Sequence, residues 1–100
     1  MKKITLLGKE YQVVSDYRDA IDIEAIETLL TDYFDDFDYI VGDWAYGKLR
    51  LKGFYKSDNP KATKANDIAF VQDYIDVKCA YGCKWFQIEK NDWKSFFLLL

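Results

Sequence analysis

The sequence contains no histidine, one proline and only two cysteines among its 100 residues. Histidine is the most common general base and metal ligand at neutral pH, so its absence removes the most frequent catalytic and zinc sites. No run approaches the roughly 18 apolar residues that a membrane-spanning helix needs. The apolar run after Lys2 and Lys3 is too short for a signal peptide. We therefore expect a cytoplasmic protein without cofactor or metal, with both cysteines reduced.

Apolar side chains are abundant, at 50% of the residues, and 18% of the residues are aromatic. This composition and length are typical of one domain, spanning 1–100, with a modest core. The net charge of −3 argues against a protein dominated by contacts with nucleic-acid phosphates. A local basic patch remains compatible with that total.

Residues 39–55 predict a β-hairpin that holds most of the unusual chemistry of the chain. Residues 49–52 alternate apolar and basic, as in a strand with one buried and one wet face. We expect a three-residue loop over 45–47, with its final glycine in the left-handed region. This register pairs Trp44 with Lys48 and places the other basic side chains of the strand on the face of the indole.

That basic and aromatic face has two interpretations. The basic side chains can simply cover the indole on a solvated sheet face. Alternatively, the face binds an anionic or planar ligand. The candidate binding residues are Asp43, Trp44, Tyr46, Lys48, Arg50 and Lys52.

Asp43 points toward the apolar face in this register, where an unpaired carboxylate is costly. It can accept backbone N–H groups of the following turn. Alternatively, it serves a small enzyme as acid or base, with Arg50 or Lys52 anchoring an anion. No nucleophile–base pair accompanies it, so the sequence assigns no catalytic residue.

The run YIVGDWAYGKLRLKGFY, at 39–55, resembles the signature segment of the YutD-like family of small proteins from Gram-positive bacteria. The run KCAYGCKWFQIEK, at 78–90, is similar to that family's C-terminal motif of two cysteines around a glycine, followed by a strand. The resemblance covers roughly residues 11–90, and Ala45 stands where a glycine is expected. It implies the family fold and a bacterial cytosolic setting, and it implies no catalytic residue.

The remaining segments predict two helices and three further strands. Helices are expected over 22–34, capped by the first residue, and from 66 or 67 to about 80. Strands are expected over 4–7, 11–15 and 84–90. The predicted fold class is α+β, a small single domain with an antiparallel or mixed sheet of about five strands and two helices packed on it.

Two charged segments flank the hairpin. Four aspartates lie within 32–38, and they are typical of a solvated turn, since the EF-hand spacing of a calcium site is absent. Residues 56–65 contain the only proline and three lysines, which predicts a loop. A basic loop beside the hairpin is compatible with a mobile ligand gate or with a plain surface connection.

Cys79 and Cys83 lack the CxxC spacing of thioredoxin-like and zinc motifs. Three roles of these cysteines stay open: they are buried packing residues, a redox pair that acts as a thiol switch, or ligands of a zinc site shared by a dimer. Residues 93–100 are mostly apolar, and we expect them to pack on the domain or on a second copy in a homodimer, unless they derive from a longer chain.

The sequence thus favours a cytosolic binding or regulatory domain without chemistry of its own, and its ligand is unknown. Single-stranded nucleic acid is one candidate partner, because bases stack on aromatic side chains while basic residues hold phosphates. The acidic total charge makes a protein partner equally compatible. The small enzyme and the thiol switch are the alternatives.

Overall fold

The computed structural model describes residues 2–78 and 82–91 of the chain. Short 3₁₀ turns precede β3 and α2, at Asp32–Asp36 and Ile68–Phe70. No helix in this described part is long and apolar enough to cross a membrane. The strands and helices are β1 (Lys3–Leu6), β2 (Lys9–Tyr17), α1 (Ile23–Leu29), β3 (Tyr39–Ala45), β4 (Lys48–Phe54), α2 (Val71–Lys78) and β5 (Trp85–Lys90).

The five strands form one antiparallel sheet in the order β1-β2-β5-β3-β4. Two hairpins, β1–β2 and β3–β4, lie side by side, and β5 runs between them as the shared neighbour. Strands β1 and β4 are therefore the two edges. The predicted α+β fold with about five strands and two helices is confirmed.

The helices pack on opposite faces of the sheet, which gives the domain two cores. We call these the α1 face and the α2 face. The α1 face buries Leu6, Tyr11, Ala20, Ile26, Ile40, Phe86 and Ile88. The smaller core of the α2 face is formed by Val41, Phe54 and Ile75.

Helix α1 begins where predicted, because the Asp22 carboxylate accepts the N–H of Ala25 at 3.0 Å and caps the first turn. It ends earlier than predicted, at Leu30, whose backbone is extended (φ −74°, ψ 126°). A longer helix would place the aspartates of residues 32–36 at its negative C-terminal end. The chain forms a separate 3₁₀ turn there instead.

The other element boundaries also depart from the sequence prediction. The β1–β2 turn is Leu7–Gly8, since Leu6 pairs with Lys9. Strand β2 is longer than predicted because β5 pairs along it, with a register shift between Val13 and Ser15. Helix α2 starts later than predicted, and its expected end near residue 80 lies outside the described residues.

Candidate functional site

The β3–β4 hairpin closes with a two-residue turn, Tyr46–Gly47, and Ala45 pairs with Lys48. Both turn residues have positive φ, 54° and 77°, as a type I′ turn requires. The predicted three-residue loop is wrong, and the register shifts by one residue. The physical reason is that tyrosine rarely adopts the left-handed conformation, so the sequence pointed only to Gly47.

This shift separates the predicted binding residues onto two faces. Trp44 lies on the α1 face, where its indole N–H donates to the carbonyl of Ala20 at 2.8 Å. The amine of Lys84, and not of Lys48, lies 4.8 Å from the indole centre. The expectation that Trp44 shares a face with the basic residues of β4 is wrong. The nucleic-acid interpretation loses the stacking platform on which it rested.

Asp43 is 1% exposed and pairs across the hairpin with Arg50 on the α2 face. Its Oδ2 accepts a hydrogen bond from the Arg50 guanidinium, and its Oδ1 meets no donor within residues 2–78 and 82–91. The expected contact with turn amides is therefore replaced by an ion pair. The hydrogen bond raises the pKa of Arg50 above its ordinary value.

Arg50 also donates to the carbonyl of Lys78, the last residue of α2, at 2.9 Å. A cation at a helix C-terminus is favourable, since that end carries partial negative charge. Arg50 thus links β4 to β3 and to α2. The guanidinium is already engaged by Asp43, which leaves it poorly suited to anchor a separate anion.

An open groove of about 320 Å³ runs between α2 and β4. The Lys52 amine lies 5.4 Å from the Phe54 ring centre and 5.3 Å from that of Tyr74. Burial, with the nearby Asp43 charge, raises the pKa of Tyr74. The lining residues are Lys52, Phe54, Lys64, Ala65, Phe70, Asp73, Tyr74, Val77 and Lys78.

Two apolar side chains of the groove remain exposed, Phe70 at 40% and Val77 at 78%. The sequence analysis predicted this helix but assigned neither side chain to a binding site. The available signal was an excess of apolar residues, because Phe70 and Val77 fall outside the helical stripe that contains Val71, Tyr74 and Ile75. The groove therefore adds an apolar component that the sequence analysis did not assign to a site.

Tyr46 lies at the tip of the hairpin and is 97% exposed. It has a left-handed backbone (φ 54°) and is followed by Gly47. The left-handed region disfavours side chains other than those of asparagine and aspartate. Tyr46 is thus a predicted site residue whose ring gains little from packing within the described chain.

Two of the four aspartates of residues 32–38, Asp36 and Asp38, form hydrogen bonds with the segment after β4. Asp36 accepts hydrogen bonds from the Lys61 amine at 2.8 Å and from the Tyr55 hydroxyl at 2.6 Å. Lys61 is the main cause of the lowered pKa of Asp36, and Asp36 raises the pKa of Tyr55 to about 12. Asp38 accepts the backbone N–H of Lys56 at 2.7 Å. These contacts fasten the loop, which argues against a mobile gate.

Cys83 precedes β5 and is disulfide-bonded, which differs from the reduced thiol that the sequence predicts. Cys79 lies outside the described residues, as do residues 92–100. The thiol switch and a dimer through the apolar C-terminus therefore stay predictions. Within the described part of the chain, no three potential metal ligands cluster together.

Three comparisons with known proteins point to the same family. The family described as "YutD-like: Putative antitoxin YutD-like" matches residues 5–89. The chain is 38% identical to "Putative antitoxin YutD" of Bacillus subtilis (strain 168) over 87% of its own length and 96% of that protein. A solution NMR structure of protein YutD from B. subtilis has a TM-score of 0.75 at 36% identity, covering 92% of this chain and 84% of that one.

Proposed function

Because the chain belongs to the YutD-like family, we propose that it is a binding domain that recognises a protein partner. The name of its B. subtilis relative, "Putative antitoxin YutD", suggests only the class of partner, which is another protein. The surface proposed for this contact is the hairpin tip at Tyr46, strand β4 and the groove beside α2. We call it the β4 surface.

The observation that carries the proposal is the position of Tyr46. A type I′ turn favours asparagine and glycine, and a larger side chain in the left-handed region costs roughly 1 kcal/mol. An exposure of 97% means that the ring repays little of this cost by packing. Tyrosine is also among the residues that most often dominate binding energy at protein interfaces. Contact with a partner would account for both its strain and its exposure.

The groove supplies the second support. Exposed Phe70 and Val77 lie in it among three lysines, which is the mixture of apolar centre and polar rim found in protein interfaces. The nearby Lys48 is also exposed. This local positive charge contrasts with the net charge of −3 of the whole chain. Such a patch favours a partner that presents acidic residues and accelerates its association.

The test is capture of the partner from a B. subtilis lysate, with quantitative mass spectrometry of the retained proteins. Three baits are compared: the wild-type chain, Tyr46→Asn and Leu7→Asn. Leu7 is a matched control because it is 58% exposed, has φ 49° and precedes Gly8 in the turn of the other hairpin. Both substitutions place asparagine in the same turn position.

We expect one protein to be retained equally by the wild type and Leu7→Asn, and about tenfold less by Tyr46→Asn, the loss typical of a strong interface residue. Equal retention by all three baits would contradict the role of Tyr46. Specific retention of nucleic acid instead of protein, lost on nuclease treatment, would contradict the class of partner.

A further inference from the structure

Within residues 2–78 and 82–91, no other strand pairs with the outer side of the β4 backbone. In an antiparallel pair, alternate residues direct their N–H and C=O groups toward the neighbouring strand or away from it. The N–H of Trp44 donates to Lys84 on the β5 side at 3.0 Å, so Trp44 and its partner Leu49 face away from each other. By the same alternation, Leu51 and Gly53 also direct their backbone groups outward.

The chain itself uses the next outward-facing residue. The N–H of Tyr55 donates to the carbonyl of Asn66 at 2.7 Å, and the carbonyl of Tyr55 accepts the N–H of Ile68 at 2.9 Å. These bonds form a parallel β-bridge between Tyr55 and Asp67. The outer edge therefore already accepts an added segment at one end. The backbone groups of Leu49 and Leu51 make no such bond within the described chain, whereas Gly53 is buried and lies against the Phe37 ring.

We propose that this outer edge of β4 accepts an extended segment of the protein partner as an additional strand, with acidic residues at every second position. The inference rests on the proposed function and specifies how the partner is held. Main-chain hydrogen bonds to an exposed sheet edge are an established mode of peptide recognition, and the side-chain pattern supplies the specificity.

The side chains of β4 determine which residues the added strand carries. Lys48 and Lys52 project on the α2 face on either side of Arg50, whose charge is already paired with Asp43. The residues opposite the two lysines therefore complement their charge if they are aspartate or glutamate. Leu49 and Leu51 project on the α1 face and are partly buried, so apolar residues fit opposite them. The expected segment alternates acidic and apolar residues over the five positions opposite residues 48–52.

A second copy of this chain is a poor occupant of the same edge. If two β4 strands paired with each other, their basic side chains would face one another across the new ladder. Like charges directly opposite are unfavourable in a sheet. Lysines on edge strands also oppose self-association. Charge complementarity therefore selects a foreign, acidic strand.

The probe is the capped peptide Glu-Val-Glu-Val-Glu-Val-Glu, titrated into the ¹⁵N-labelled full-length wild-type chain. We expect saturable shifts along β4 and amide hydrogen exchange at Leu49 and Leu51 that slows about tenfold at saturation. Thr5 is the internal control, since it faces outward on the opposite edge β1. A peptide of the same composition with its glutamates in one block, and a lysine analogue of the probe, should bind at least about tenfold more weakly.

Peptides methylated on the backbone nitrogens of either the valines or the glutamates separate strand addition from simple charge attraction. Only one alternate set of N–H groups faces β4 in a ladder. One methylated peptide should therefore lose binding and the other retain it. Equal binding by both, or no binding of the parent peptide, would overturn the inference. Lysate capture that still depends on Tyr46 would then leave the proposed function standing, whereas loss of both results would reject both.

Discussion

The two hairpins of the sheet close with the same kind of turn, and they differ in how that turn is supported. Leu7–Gly8 and Tyr46–Gly47 both have positive φ at each residue. The Leu7 N–H donates to the Glu27 carboxylate of α1 at 2.8 Å, so the first turn is tied to the domain. Tyr46 is almost fully exposed. The first hairpin therefore uses its turn to hold the fold, while the second presents its turn to solvent.

The edge strands differ in the same sense. Strand β1 has four residues and β4 has seven, so β4 is the longer edge strand of the described sheet. Strand β1 packs its buried side chain only on the α1 face, whereas β4 contributes to both cores. Strand β4 is therefore held on both faces, while the outward backbone groups of Leu49 and Leu51 have no hydrogen-bond partner in the part of the chain that the structure describes. A rigid, unpaired edge suits recognition better than a short one.

The largest expected change in the free energy of unfolding comes from breaking an ion pair in each of the two hairpins. Arg50→Met should destabilise the fold by about 3 kcal/mol, because it leaves the buried carboxylate of Asp43 unpaired. Lys3→Met removes the exposed pair with Glu10, at 3.5 Å, and should cost less than about 1 kcal/mol. Urea unfolding measures both values.

Adding Asp43→Asn to Arg50→Met should recover part of the loss, since a neutral amide is less costly to bury than a carboxylate. If Arg50→Met destabilised the fold no more than Lys3→Met does, the two hairpins would not differ in the way described.

A smaller effect concerns the turns themselves. Tyr46→Asn should stabilise the domain by roughly 1 kcal/mol, because asparagine tolerates the left-handed conformation better. Leu7→Asn relieves the same backbone cost but loses some apolar contact, so its gain should be smaller. Thermal unfolding of the two variants decides the point. A Tyr46→Asn variant less stable than the wild type would show that the tyrosine ring serves the fold.

The smallest expected effect is a pH dependence of stability that arises from Asp36. The pKa of Asp36 is lowered mainly by its hydrogen bond with Lys61 and then by that with Tyr55. The contribution of Asp36 to the free energy of unfolding is therefore fully present above the ordinary carboxyl pKa of 3.8, and it is lost as the pH falls through the lowered pKa. Asp36→Asn should therefore be less stable than the wild type at neutral pH. The difference should shrink on acidification, as followed by unfolding at several pH values. A difference independent of pH would contradict the ion pair.

Much of the fold could be predicted from local patterns. The strands of the hairpins and the cap at Asp22 follow from propensity and period. The family could be predicted from the hairpin segment. These features depend on neighbouring residues, so a single sequence contains them.

The site could be predicted only in part, because its composition depends on the exact register. Moving the turn by one residue transferred Trp44 to the α1 face. The turn was misjudged because Tyr46 adopts a conformation that its residue type disfavours. To predict the groove one must know how α2 packs against β4. To predict the Asp43–Arg50 ion pair one must know the observed register of the hairpin. Neither contact can be read from sequence spacing alone.

The most direct test is to map the captured partner on the ¹⁵N-labelled chain by NMR. The account predicts that the largest shifts and the slowest amide exchange fall on residues 46–53 and on the groove residues Phe70 and Val77. The turn at Leu7–Gly8 and strand β1 should stay unchanged. Shifts centred on β1 and its turn, with residues 46–53 unaffected, would contradict the central claim.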